Sequence, residues 1–302
     1  MNGMHGGLSL VLTLALAAPG HAAEVVILNS NEQPGVRPVV DALRRAGAAH
    51  TFAEFDLGGN RASGERITSG LRGRAVILVA VGVLAAQVAR AALPDAPLAF
   101  CMVSDPNQAG LVHVARVGGV AAEVPVKNQL AAFRLVNPKG VRIGVLHGPD
   151  TADLIGDAQK AARLVRVALF PRLVSSARDV PEAMRELLTG ADAVDAVWMM
   201  GDPILTTEQT RHYVLAETVR AGRPVYAYSD TLVAEGALVS VGPDPVSVGE
   251  LLADLVDRLA AGERGRLDML VPRAKLVINK KIAGKLKIEI PADALKAANR
   301  VF

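Results

Sequence analysis

Residues 75–104 read AVILVAVGVLAAQVARAALPDAPLAFCMVS. Two continuously apolar stretches, 75–81 and 98–103, flank a segment of helical pattern at 83–92. Strand-length runs without polar alternation belong to strands covered on both faces, as in a parallel sheet wrapped by helices. Gly82 sits at the join between strand and helix, and Pro94 and Pro97 end the helix. The stretch is therefore one β-α-β unit.

The same alternation extends outward. Upstream, an apolar strand at 25–28 precedes a helix at 37–46 stopped by Gly47, and a strand at 51–55 follows. Downstream the pattern repeats, with strands expected at 142–146, 165–170, 196–199, 224–228 and 237–241. Helices are expected at 152–164, 179–188 and 206–219. A capping box, Ser247-x-x-Glu250, opens a further helix whose apolar face holds Val248, Leu251, Leu252, Leu255, Val256 and Leu259. Two rounds of alternation predict an α/β protein of two doubly wound parallel-sheet lobes. Val117-Gly118-Gly119-Val120 lies between the rounds and reads as a hinge or crossover.

Composition narrows the class. The chain has 302 residues, 51% of them apolar and only 3% aromatic, which excludes a mostly disordered chain. One cysteine, Cys101, excludes an intramolecular disulfide framework and a multi-cysteine zinc site. At the end of a strand it reads as a small buried hydrophobe. The scarcity of aromatic side chains argues against base-stacking platforms, so nucleic acid is not an expected partner. Residues 264–300 carry ten Lys or Arg against three Asp or Glu, which reads as a solvated basic face.

The first 22 residues have the pattern of an export signal. Residues 8–18 are apolar, too few for a membrane span of ~20 residues but sufficient for a signal core. Gly20 and Ala22 supply the small residues for cleavage after Ala22. The n-region departs from the usual pattern in having neither Lys nor Arg. The expected location is the periplasm.

In open α/β sheets ligands bind beyond the carboxyl ends of the strands. That rule selects Asn29, Ser30, Gly82, Val83, Ser104, Asp105, His147, Gly148, Asp202, Tyr228, Ser229 and Asp230 as candidate ligand-binding residues. Helix N-termini at these loops suit a carboxylate, and the aspartates suit an ammonium group. A zwitterion such as an amino acid fits both. Taken singly, Asp and Ser at these points also serve as helix caps. Tyr228, Tyr226 and Phe100 are the aromatics expected near the crevice. No phosphate loop, dinucleotide fingerprint, zinc-protease motif or nucleophile elbow occurs, so no catalytic residue, metal or cofactor is expected. His147 with Ser104 or Ser229 and Asp202 forms a weaker, hydrolase-like alternative.

The closing stretch from Lys275 to Pro291, KLVINKKIAGKLKIEIP, resembles the end of the periplasmic ABC-transporter substrate-binding proteins of the tryptophan-binding, TrpX-like group. VSDPNQAGLV at 103–112 and the segment from Pro224 to Ser240 are similar to that family as well. The resemblance implies a type I periplasmic-binding fold whose chain crosses between lobes three times. The implied first lobe is 23–115 plus 235–263, and the second 116–234 plus 264–302. It further implies a monomer that closes on a small-molecule ligand and serves an ABC permease or a membrane sensor. Four departures from the family pattern stand out, one of them a four-residue step. Val120-Ala121-Ala122-Glu123 replaces an Asn-x-Thr-Gly step, Val241 an aromatic, Ile282 a Thr and Lys287 a Gly.

Overall fold

A computed structural model describes residues 22–33, 35–190 and 193–302. All of the expected export signal except Ala22 lies outside the described residues. The chain begins with β1 (Glu24–Asn29), α1 (Val36–Ala46), β2 (Thr51–Asp56), α2 (Arg61–Ser69), β3 (Val76–Val81), α3 (Val83–Ala92), β4 (Leu98–Cys101) and β5 (Val117–Val120). It continues through α4 (Val126–Val136), β6 (Arg142–His147), a 3-10 turn (Pro149–Thr151), α5 (Ala152–Leu164), β7 (Ala168–Leu173) and α6 (Val180–Thr189). Then come β8 (Ala196–Met199), α7 (Glu208–Arg220), β9 (Val225–Ala227), α8 (Asp230–Glu235) and β10 (Val239–Pro243). The last elements are α9 (Pro245–Ala260), β11 (Met269–Leu270), β12 (Ala274–Ile278), α10 (Lys280–Lys285), α11 (Ala292–Ala297) and β13 (Arg300–Val301).

These strands form two sheets, ordered β11-β5-β4-β3-β1-β2 and β13-β12-β10-β9-β8-β6-β7. The first is wholly parallel. In the second only the β10–β12 pairing is antiparallel, so β12 and β13 run against the other five strands. The protein is therefore α/β with two parallel-dominant sheets. In β1, Val25 and Ile27 join the core under α1 and α9, while Val26 and Leu28 join the core on the other face. This double burial is why the strands read as unbroken apolar runs. Helices α1 and α9 meet at Gly249, where a Cβ would stand 2.4 Å from the Val39 carbonyl oxygen. Only glycine permits that approach.

Sheet membership moves the expected boundaries. Residues 117–120 are not the hinge but strand β5 of the first sheet. A Cβ on Gly119 would lie 2.3 Å from the ring of Phe100, so the paired glycines make room for packing. Residues 239–243, expected in the first lobe, form β10 of the second sheet, held between β9 and β12. Residues 269–270, expected in the second lobe, form β11 at the edge of the first sheet, beside β5. The chain thus passes between sheets at 121–125, around 244 and at 271–273.

Local details also differ. The strand expected at 165–170 is β7, three residues later, because Val165 and Arg166 close the end of α5. Arg166 is at φ 58, and the Val167 N–H donates to the Ala162 carbonyl. The strand expected to run to Val103 ends at Cys101, since Met102 turns left-handed at φ 55. Helices α2 and α4 were not expected from the apolar pattern. The first is capped by Asn60, whose side chain accepts from the Ala62 and Ser63 N–H groups.

Candidate functional site

Every passage between the sheets leaves the carboxyl end of a parallel strand, at Val120 of β5, Pro243 of β10 and Leu270 of β11. The three connecting segments are also bonded to one another. The Ala121 N–H donates to the Leu270 carbonyl at 2.8 Å, and the Asp244 N–H to the Arg273 carbonyl at 2.8 Å. The Arg273 guanidinium meets Glu250 at 2.8 Å and Asp244 at 3.7 Å. The three crossings therefore lie on the same side as the strand-end loops of both sheets, which is the side where α/β folds bind ligands.

In the first sheet β1 is flanked by β2 on one side and β3 on the other, so the connections diverge there. Ser30 and Gly82 meet at this point. The Ser30 hydroxyl oxygen accepts from the Ala85 N–H at 3.0 Å, capping α3 from a neighbouring loop. Gly82 has φ 91, and a Cβ on it would stand 2.6 Å from that hydroxyl oxygen. The next N–H groups, of Val83 and Leu84, take no such cap among the described residues, and the Val83 side chain is exposed. Asn29 turns sideways into the protein. Its amide donates to Glu54 at 2.8 Å, and Glu54 in turn holds Arg44 at 2.6 Å. The Asn29 Oδ1 is enclosed with no partner. Asp105 caps its own turn, accepting from the Gln108 N–H at 2.9 Å, while Ser104 beside it is exposed.

In the second sheet the divergence falls at β6, between β7 and β8. Here Asp202 is fully buried. Its Oδ2 accepts from the Gly148 N–H and from the Thr151 hydroxyl, each at 2.7 Å, and its Oδ1 accepts from the Ile204 N–H at 2.8 Å. Burial alone would raise its pKa, but these hydrogen bonds outweigh it and hold the carboxyl below its ordinary value. Asp202 was expected to meet a ligand ammonium; its carboxylate instead clamps the loops after β6 and β8. His147 is buried beside it, with Nδ1 3.2 Å from the Gly148 carbonyl oxygen. Among the described residues no hydrogen bond joins His147 to Ser104, Ser229 or Asp202, so the hydrolase-like triad is not assembled.

Tyr228, Ser229 and Asp230 stand together at the end of β9 and the start of α8. Asp230 accepts from the Ser240 hydroxyl at 3.1 Å and pairs with the Lys275 ammonium at 2.5 Å. The Tyr228 phenol is half-buried. Burial pushes its pKa up, with Arg211 opposing the rise and Glu235 adding to it. The other two aromatics expected here are elsewhere. Phe100 lies in the first core, and Tyr226 in the second, where Asn137 donates to its hydroxyl at 3.0 Å.

Two residues at this edge escaped the strand-end rule. Lys275 was visible only as the first residue of the closing motif, and Glu123 only as a departure in the first crossing. Cys101 is buried, and burial pushes its thiol up to about 12, so it stays protonated. No group of three or more His, Cys, Asp or Glu among the described residues is placed to hold a metal ion. No described helix is long and apolar enough to cross a membrane. Cavities of about 660 Å³ beside Arg72, Arg74 and Arg116, and about 450 Å³ beside Lys139 and Lys287, lie at the amino ends of the strands. Another of about 530 Å³ runs between α6 and α7.

Comparison with known proteins agrees with this architecture. The ligand-free, open form of a substrate-binding protein with adhesive properties from Clostridium difficile superposes with TM-score 0.80 at 19% identity. It covers 93% of this chain and 99% of that one. A Streptococcus pneumonia ABC domain in complex with L-Trp gives TM-score 0.68 at 21% identity, over 93% and 100% of the two chains. A periplasmic ribose ABC transporter protein from Conexibacter woesei gives 0.58 at 13% identity, over 93% and 99%. In sequence, a tyrosine-binding protein of Clostridioides difficile is 20% identical over 62% of this chain, and the match spans only 55% of that relative. The profile of the family described as ABC transporter substrate binding protein matches residues 38–302, and the chain belongs to that family.

Proposed function

We propose that this chain is an exported, monomeric solute-binding protein. It captures a small zwitterion, an α-amino acid or a close relative, between its lobes and delivers it to an ABC permease without catalytic turnover. The observation that carries this reading is the common position of the hinge and the strand-end loops. A ligand on one loop set is met by the other when the lobes rotate about the three crossings. The Val83 and Leu84 N–H groups at the start of α3, which Ser30 leaves uncapped, would take a carboxylate. Exposed apolar side chains at the same edges, Val83, Met102 and Leu173, would lose water on closure. The relatives that bind tyrosine or L-Trp support an amino acid as the ligand class. With Tyr228 the aromatic left at this edge, an aliphatic or small polar amino acid suits the site as well as an aromatic one.

Native mass spectrometry of freshly purified protein tests the proposal, because a tightly held ligand survives purification. The expected result is a bound mass in the amino-acid range, released on unfolding. A thermal-shift screen of the amino acids should then identify a stabilising ligand; saturation at 100 Kd adds ~2.7 kcal/mol. X-ray scattering should show the molecule shrink when that ligand is added. No stabilisation by any amino acid, or turnover of an ester substrate, would overturn the reading.

A further inference from the structure

We propose that the export signal is cut at the Ala22–Ala23 bond and that the ammonium group so created docks on His50, tying the mature amino terminus to α9; this rests on the export reading above. The cut is a hydrolysis by a signal peptidase. Water breaks the peptide bond, its oxygen joins the Ala22 carboxylate, and both its hydrogens go to the Ala23 nitrogen, which becomes an ammonium. Ala22 is exposed, whereas Ala23 is half-buried and packs against the core beneath α9. The Ala23 carbonyl accepts from the Thr51 N–H at 3.0 Å, carrying the β1–β2 pairing back by one step. The Ala23 N–H donates to His50 Nδ1 at 3.2 Å. The His50 side chain is only 1% exposed, set beside Gly47 and meeting Phe52 edge to face. Because Nδ1 accepts, the neutral ring carries its hydrogen on Nε2. That hydrogen is donated to the Asp257 carboxylate of α9 at 2.7 Å.

The place of the cut decides what this chain of groups contributes. A cut after Ala22 turns the amide donor into a charged one, and charge-assisted hydrogen bonds are roughly twice as strong as neutral ones. A cut after Ala23 removes the nitrogen and strands a buried acceptor on His50. A cut farther upstream leaves the neutral amide in place. Glu24, the nearest acidic residue in sequence, is held by Arg74, so Asp257 remains the anion on which the chain of groups ends. The mature terminus is thus an ammonium–imidazole–carboxylate link from the start of β1 to the helix that covers α1.

The test begins with the full chain exported by a Gram-negative host and the intact mass of the recovered protein. The expected first residue is Ala23. Any other start overturns the assignment, and a chain left uncut in the cytoplasm overturns the export reading with it. Urea unfolding then compares the chain beginning at a free Ala23 amine with the same chain Nα-acetylated, in wild type and in His50→Leu. Acetylation keeps the N–H and removes the charge. It should lower the folding equilibrium constant of wild type about five- to tenfold, the gap between a charged and a neutral donor. In His50→Leu the effect should shrink to less than about twofold. An equal effect in both backgrounds, or none in wild type, overturns the docking. Long-range 1H–15N spectra of wild type need no variant. They should show the His50 ring with its hydrogen on Nε2, and a hydrogen on Nδ1 instead overturns the docking.

Discussion

Replacing Asp202 by Asn separates a loop clamp from a ligand contact. The substitution keeps size and shape. Oδ1 still accepts from the Ile204 N–H, but the new amide NH2 now faces two donors, the Gly148 N–H and the Thr151 hydroxyl, formerly at 2.7 Å from Oδ2. The hydroxyl turns and becomes an acceptor. The Gly148 N–H has no such freedom and is left buried without a partner. Losing one charge-assisted bond costs about 1.5–3 kcal/mol, and stranding a buried donor about 1–3 more. The expected destabilisation is therefore ~3–5 kcal/mol, a large part of the ~5–15 kcal/mol of a typical fold.

Urea unfolding followed by circular dichroism measures it. The pH dependence supplies a second check. A carboxyl whose folded pKa is depressed contributes stability fully above its unfolded value, ~3.9, and that stability fades as pH falls through the folded value. The gap between wild type and Asp202→Asn should thus be widest near neutrality and narrow below about pH 4. A gap under ~0.5 kcal/mol at pH 7, the size of an ordinary surface change, or one that does not narrow in acid, would refute the clamp.

Three other outcomes follow from geometry already described. Gly249→Val should force α1 from α9 and cost ~1–3 kcal/mol or more by overpacking, read as a lower urea midpoint. Cys101 should resist a thiol reagent at pH 8 in the native protein and react at once in denaturant, since burial keeps it protonated. Lys275→Met should cost no more than ~1 kcal/mol, because its pair with Asp230 is half-exposed; a larger loss by thermal melting would mean the pair holds α8 in place.

The alternation of apolar strands and helices was legible because a parallel sheet buries both faces, and residues 75–104 carry that signature unaided. What lay beyond reach was the use made of individual side chains. Gly118-Gly119 reads equally as hinge or as packing space, and only the ring of Phe100 decides between them. Asp202 follows a strand as a ligand residue would. Its true partners, Gly148 and Thr151, are about fifty positions away, a pairing no local pattern encodes. Asn29 was drawn inward by Glu54 in the same way. The lobe boundaries moved because β5 and β11, two short strands, find each other across some 150 residues.

That interleaving bears on how the chain is made. The first sheet lacks an edge until residue 270 exists, and α1 lacks its main packing partner until α9 has been synthesised. The second sheet waits for residues 300–301. Neither sheet is complete before residues far along the chain have been made, and long-range pairing of this kind is slow in any case. For the exported protein proposed above, such late completion would keep the polypeptide threadable as it passes a membrane pore.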